Sequence, residues 1–432
     1  MEVVGGVKGM IREIFIEREQ YIALLDAIRE PERIAIVFGD VMDERAIVLK
    51  LFVPRDEDYL ERSLSHALLK PGVFAREYLQ VREEGLEPVA IIHSHLGSSR
   101  PSFGDVTTHV DVVKEYNYCL LGVYGLDEAD LTFYDFSSSE PSRVKVKVVD
   151  VARFDRQIRV LGLRGQMRLA ASRVLIVGVG GASLLAQALA ASGVGKLILV
   201  DPDVWEYHNR NRVFIPRDLI GWNKAEALRL TIMNLFPDTT VEAYPCKAEE
   251  LPLEVFRQAD VIVCGADRLT ARRYTNRVAL ELGKPAIFLS AGAEMLEDEY
   301  FVRGSVQVVL PGVTACYECL PIDYERLWLE EQVERVGEKN VMEYLRVHDP
   351  SSINLLKKLR WVTPSFIYLN MIVCGLAQLE IQKILTKSGG DPVKGLISYD
   401  PLSQTLRVYT LERNPECPAC SKLGAIEDGQ SR

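Results

Sequence analysis

Residues 173–203 read RVLIVGVGGASLLAQALAASGVGKLILVDPD. Val174–Val177 is an apolar, mostly β-branched strand, Gly178-Val179-Gly180-Gly181 a tight turn, 184–192 a helix, and Lys196–Val200 a second apolar strand. Together they make a βαβ unit, which sets the two strands parallel in one sheet. At such a turn, free backbone N–H groups and the helix dipole favour a phosphate. The turn alone fits any nucleotide-binding Rossmann-like domain, or a tight connection that binds nothing. The second strand ends in Asp201-Pro202-Asp203, where acidic groups meet ribose hydroxyls, although a dinucleotide site would look the same.

Working outward, strand–helix alternation continues through Asp260–Cys264 and Ala286–Leu289. This predicts an α/β domain with a mostly parallel sheet wrapped by helices. The chain before residue 145 has a different rhythm and predicts an α+β domain. Residues 10–30 place apolar side chains at helical spacing. Strands are expected at Ile34–Phe38, Ala46–Val53, Val89–Ile92, Tyr118–Val123 and Leu131–Tyr134, with a helix over 56–70. The small, polar segment 137–142 (SSSEPS) marks a boundary or surface loop. The expected organisation is therefore 1–145, 146–422 and a polar, disordered tail over 423–432.

Composition excludes several classes. The chain has 432 residues, 48% hydrophobic and 26% charged, with a net charge of −10. That balance provides for two or three buried cores and disfavours nucleic acid or an anionic membrane as partner. The first fifteen residues lack the apolar core of a signal peptide. The most apolar stretch, Val362 to Leu379, contains Pro364, Asn370 and Gln378 and reads as a buried helix rather than a span. A cytosolic protein is expected, and its eight cysteines are read as thiols and metal ligands.

Further motifs narrow the second domain. Glu206-Tyr207-His208-Asn209-Arg210-Asn211-Arg212 follows the second strand, and Trp222-Asn223-Lys224 comes next. Arg153-Phe154-Asp155-Arg156-Gln157 and Gly165-Gln166 stand upstream, and Cys264-Gly265-Ala266-Asp267 closes a later strand. In this order they resemble the ThiF/MoeB family over nearly all of residues 150–420. The resemblance implies an ATP-dependent adenylating enzyme, which joins a carboxylate to the α-phosphorus and expels pyrophosphate. It implies that Gly178, Gly180, Gly181, Asp203 and Asn209 help bind ATP. It places Arg212 and Lys224 on the triphosphate, Asp201 on the ribose and Asp267 on magnesium. Arg156 would cross a homodimer interface to the partner's phosphates. Taken singly, each of these side chains fits a surface ion pair. The sequence departs from the family at Ala182 and Ser183, where its glycine loop ends, and at Val213, where a glutamine is usual.

Cys316-Tyr317-Glu318-Cys319 and Cys417-Pro418-Ala419-Cys420 are two C-x-x-C pairs, suited to a closed tetrahedral zinc site. A redox pair would need only one of them. Cys119, Cys246, Cys264 and Cys374 sit in apolar contexts and read as core residues. Residues 320–373 contain no cysteine and are rich in charge (Glu330, Glu331, Glu334, Arg335, Lys357, Lys358, Arg360). An internal thioester is therefore not expected there, and the acyl group would pass to an external nucleophile.

In the first domain, Ala90-Ile91-Ile92-His93-Ser94-His95 is a strand whose two imidazoles share a face. Ser102-Phe103-Gly104-Asp105 follows and reads as a helix start with a serine cap. Two histidines, an aspartate and a water would hold a catalytic zinc with one open position, and Glu32 is a candidate base. These residues resemble the JAMM metalloproteases over about residues 10–140. That resemblance implies zinc on His93, His95 and Asp105, proton transfer by Glu32, and stabilisation of the tetrahedral intermediate by Ser102. Leu96 stands where a proline is usual, and the loop to Ser102 is short.

Both families act on the C-terminal glycine of ubiquitin-like or sulfur-carrier proteins. The expected partner is therefore such a protein with a Gly-Gly end, trimmed by one domain and adenylated by the other. One alternative is adenylation of a small-molecule or peptide carboxylate. Another is an active hydrolase beside a non-catalytic ThiF-like binding module.

Overall fold

Glu13–Glu17 (EIFIE) forms strand β1, correcting the helix expected from residue 10 onward. Ile14, Phe15 and Ile16 are all buried: β1 pairs along both edges with parallel strands, Ile14 and Ile16 enter one core and Phe15 another on the opposite face. One helical stripe could not bury three consecutive apolar residues. The computed structural model describes residues 10–63, 66–107, 109, 119–138, 140–296, 299–359 and 364–421. Within it the chain divides into two compact units, Met1–Ala171 and Ser172–Arg432.

In the first unit, β1 leads into helix α1 (Arg18–Ala27), then β2 (Ile34–Met42) and β3 (Arg45–Phe52). The helix expected over 56–70 is instead a 3-10 turn and a hairpin, β4 (Tyr59–Arg62) and β5 (Ala67–Leu69). Its charged residues face solvent on a two-stranded ribbon and make no buried helical stripe. Helix α2 (Val73–Glu83), β6 (Glu87–His95), β7 (Leu120–Gly125), β8 (Asp130–Asp135) and β9 (Ser142–Val149) follow. Tyr118 lies outside the described residues. The strands close a barrel in the order β1-β3-β2-β6-β7-β8-β9, filled by Ile14, Ile16, Leu24, Val37, Ile92 and Phe133.

The first unit extends past residue 145. Strand β9 pairs with both β8 and β1, and helix α3 (Asp155–Ala171) packs Met167 and Ala171 against Phe15 and Ile47. Arg164 and Arg168 reach the buried Asp40 at 2.6 and 3.3 Å.

The second unit contains β10 (Arg173–Val177), α4 (Ser183–Ala191), β11 (Lys196–Val200), α5 (Lys224–Leu235), β12 (Thr240–Tyr244), α6 (Leu253–Arg257), β13 (Val261–Cys264), α7 (Leu269–Glu281), β14 (Ala286–Leu296) and β15 (Glu299–Val309). Three helices follow, α8 (Tyr324–Val336), α9 (Glu338–His348) and α10 (Ile353–Leu359), sharing a core of Leu329, Val341, Leu345 and Leu356. Arg360 and Val362 lie outside the described residues, as does the tail over 423–432. Helix α11 (Ile367–Thr386) starts beyond Pro364, then β16 (Gly395–Asp400) and β17 (Thr405–Thr410) complete the sheet. No described helix is long and apolar enough to cross a membrane.

The sheet order is β12-β11-β10-β13-β14-β15-β16-β17. The first five strands are parallel and the last three are added antiparallel. Strands β10, β11 and β13 are apolar runs buried almost throughout, as strands covered on both faces must be. After β12 the chain returns to the other side of β10. That reversal opens a crevice at the carboxyl ends of β10 and β13, where ligands bind in such sheets.

Candidate active sites

A cavity of about 330 Å³ occupies this crevice. It is lined by Gly178, Gly180, Gly181, Asp201, Asp203, Arg212, Lys224 and Asp267, all singled out from sequence. Two glycines are fixed by geometry. Gly178 has φ +77°, and a Cβ there would lie 2.5 Å from the Ala266 backbone nitrogen. At Gly181 a Cβ would sit 3.2 Å from Oδ1 of Asn370, on α11.

Asp201 and Asp203 divide the acidic work. Asp201 is 4% exposed, and its oxygens accept the N–H groups of Val179 (2.8 Å) and Asp203 (3.0 Å). It thus ties the glycine turn to the end of β11. Burial pushes its carboxyl up to about 6, against the pull of Lys224 and the two N–H groups. Asp203 is exposed and pairs with Lys224 Nζ at 2.9 Å. Asn223 caps α5 by accepting the N–H groups of Ala225 and Glu226, while its Nδ2 donates to the carbonyls of Asp201 and Asp203. This cap aims the next residue, Lys224, at the cavity. Asp267 is exposed, and its carbonyl accepts from Arg326 at 2.9 Å.

Two of the expected residues are not among those that line the cavity. Asn209 is 4% exposed, and its Oδ1 accepts the Glu206 N–H, closing a 3-10 turn. Its role here is to shape the loop that leads to Arg212. Arg156 is exposed on α3 of the first unit. Conversely, Asn370, Cys374 and the segment Cys246–Glu249 line the cavity although no motif marks them. The Asn370 amide donates to the Arg212 carbonyl at 3.4 Å. Cys374 is buried as expected and its thiol is pushed up to about 12 by burial, so it is a poor nucleophile.

The four paired cysteines converge, with Sγ–Sγ separations of 3.6 Å (Cys316–Cys417), 3.8 Å (Cys316–Cys319) and 3.4 Å (Cys319–Cys420). Tetrahedral zinc–sulfur bonds of about 2.3 Å set sulfurs about 3.8 Å apart, so the set fits zinc. Asn276 Nδ2 lies 3.6 Å from Cys316 Sγ, and the Asn414 N–H 3.5 Å from Cys319 Sγ. Buried Glu318 accepts both nitrogens of an Arg277 fork at 2.9 Å and holds the first pair on α7. No ligand position is left open, as a structural site requires.

In the first unit, His93 and His95 alternate around Ser94 on β6. Their Nε2 atoms are 2.9 Å apart, and each is 3.2 Å from an Asp105 oxygen. One ligand atom from each residue, all within 4.8 Å of one another, can take three corners of a tetrahedron with the fourth free, which fits a zinc ion. Asp105 arrives on a helical turn capped by Ser102, whose Oγ accepts the Asp105 N–H at 3.2 Å. Burial would raise the Asp105 carboxyl, but hydrogen bonds from both imidazoles hold it well below the usual range. Ser94 is fully buried: its carbonyl accepts the Glu32 N–H at 3.0 Å and its Oγ the Arg33 N–H at 3.0 Å. This clasp holds Glu32 in the left-handed region, φ 54°, with its charge felt at His95.

Comparison with known proteins places the second unit. The chain is 30% identical over 281 residues to the sulfur carrier protein adenylyltransferase of Thermus thermophilus, an alignment covering 63% of this chain and 91% of that one. It is 28% identical to the SAMP-activating enzyme E1 of Haloferax volcanii, covering 65% and 94%. It is 30% identical to the adenylyltransferase and sulfurtransferase MOCS3 of Mus musculus, covering 64% and 54%. Residues 154–419 match the ThiF family, and the chain belongs to that family.

Proposed function

We propose that the second unit adenylates the C-terminal carboxylate of a ubiquitin-like or sulfur-carrier protein with a Gly-Gly end. One observation carries this reading: a glycine turn, an acid–lysine pair, Arg212 and Asp267 line one cavity at the ends of neighbouring strands. ATP would lay its phosphates on the N–H groups at Gly178–Gly181, and Arg212 and Lys224 would neutralise them. The ribose is assigned to Asp203, whose carboxylate is exposed, while Asp201 is engaged by main-chain N–H groups. Asp267 would hold the magnesium ion, which neutralises charge on the phosphates. The carrier's carboxylate oxygen bonds to the α-phosphorus, and the bond to the β-phosphate oxygen breaks to release pyrophosphate. A second copy of the chain would supply Arg156.

The acyl group would then pass to an external nucleophile such as sulfide, an amine or another protein's thiol. Cys374, with its raised pKa, supports that assignment. ATP–pyrophosphate exchange tests the proposal. Exchange that needs a carrier with a free Gly-Gly end and falls by about 10²–10³ in Asp267→Ala supports it. Exchange driven equally well by small carboxylates would sink the carrier assignment.

A second activity is favoured by the convergence of His93, His95 and Asp105. The first unit would be a JAMM-type zinc hydrolase that cleaves after the same glycine. Bound zinc would activate a water and polarise the scissile carbonyl. Glu32 would take the water's proton and return it to the leaving amine, and Ser102 would donate to the developing oxyanion. Release of residues beyond Gly-Gly from a carrier precursor, lost in Glu32→Gln with zinc retained, is the expected result. If no precursor or conjugate is cut, the hydrolase reading fails.

A further inference from the structure

The strand order sets out the cavity as a row. Its walls follow the ends of β12 (Cys246–Glu249), β11 (Asp201–Asp203), β10 (Gly178–Ala182) and β13 (Gly265–Arg268). Adjacent strands lie about 4.8 Å apart, so three gaps span about 14 Å. With phosphates at the β10 turn and the ribose at Asp203, the nucleotide's base falls over the loop after β12. This placement of the base rests on the adenylating reading of the pocket.

In that loop Glu249 is anomalous. The residue lines the cavity, yet both carboxylate oxygens are shielded from water and meet no hydrogen-bond donor. An unsatisfied buried polar group is costly, and a charged one more so. The neighbouring cation does not relieve it, since Lys247 is directed at Glu334, 3.7 Å away. Tyr274 senses the Glu249 charge without bonding to it. Rotation about the soft terminal torsion of a glutamate would turn the carboxylate toward a ligand.

We propose that Glu249 is a specificity-determining residue that reads the base by accepting a hydrogen bond from the 6-amino group of adenine. A carboxylate only accepts, so it favours a base with an amine at that edge and repels one with a carbonyl. Hypoxanthine has a carbonyl at that position and a hydrogen on N1, so a carboxylate set against the 6-position alone repels it, which makes inosine triphosphate the discriminating probe.

The experiment is calorimetric binding of magnesium ATP and magnesium inosine triphosphate to the full chain, in wild type, Glu249→Gln and Glu249→Leu. Wild type should prefer ATP by about tenfold to a hundredfold, the range for a hydrogen bond to a charged group. Glu249→Gln should narrow the ratio to within about threefold, because an amide can accept from an amine or donate to a carbonyl. Glu249→Leu should weaken ATP and leave the inosine nucleotide unchanged or somewhat tighter, since the repulsion of its carbonyl is gone. The wild-type ratio persisting in both variants overturns the proposal, as does equal weakening of both nucleotides. If wild type binds neither nucleotide, the reading of the pocket itself fails, a result separate from an unchanged ratio.

Discussion

The two candidate sites are built by opposite strategies. In the first unit, one ligand atom from each of three residues within 93–105 stands within 4.8 Å of the others, and one residue, Glu32, comes from elsewhere. In the second unit, the wall is drawn from residues 177–374, and much of it is backbone at strand ends. A compact triad has no redundancy: each residue would be one of only three protein ligands to a bound metal. A distributed pocket shares its work among glycines, clamped acids and separate cations, so a single loss should be graded.

The largest effect that sharpens this contrast is in the triad. His95→Ala should reduce bound zinc from two equivalents to one per chain, the cysteine cluster keeping its metal. Affinity at the triad should fall by more than about 100-fold, beyond the cost of losing an outer-shell partner. Metal analysis with chelator competition reads both numbers, and pyrophosphate exchange should be untouched. Substantial zinc retained at a two-ligand site would break the contrast.

A smaller effect is expected at the glycine turn. Gly178→Ala requires a left-handed conformation and places a methyl carbon 2.5 Å from the Ala266 nitrogen. The two terms together should cost the second unit about 2–4 kcal/mol in denaturant unfolding. Nucleotide binding should weaken with it, while zinc at the triad stays.

The smallest effect is a pH dependence. The Asp201 carboxyl, raised by burial, titrates at about 6 in the folded unit against an ordinary 3.8. Between about pH 4 and 6 the folded form holds a proton that the unfolded chain has released. This group's contribution to stability therefore falls as pH rises through that window and is level above it. The unfolding free energy of wild type minus that of Asp201→Asn should fall by about 2–3 kcal/mol as pH rises across the window. Parallel curves would show that Asp201 is ionised in both states.

The contrast also explains what was legible in the sequence. The βαβ unit was readable because β10 and β11 are buried on both faces and their apolar runs are unbroken. The cysteine pairs and the His-x-His strand were readable because the geometry of coordination fixes local spacing. Strand β1 was not, since its parallel neighbours β3 and β9 lie far along the chain and only they make EIFIE a strand. The β4–β5 hairpin was hidden because two short charged strands carry no strong period. Asn370 and Glu249 had no local mark: each enters the cavity from its own element, and only the packing of α11 and the end of β12 brings them in. Asn209 stood in a motif, but its side chain closes a turn, a distinction no spacing reveals.

The cysteine cluster also dictates an order of assembly. Cys316 and Cys417 are 101 residues apart, and α8 to α11, β16 and β17 all lie between the two pairs. During synthesis the first pair leaves the ribosome as an open two-thiolate site, unable to complete a tetrahedron. A chain interrupted before residue 417 keeps that half-site and has nothing to pin β17 and the segment after it. Closure by the second pair removes the entropy of a loop of about a hundred residues, worth about 4–5 kcal/mol for a cross-link of that span. Metal capture at this cluster would thus separate finished chains from unfinished ones, and a protease would find the unfinished ones by their loose ends.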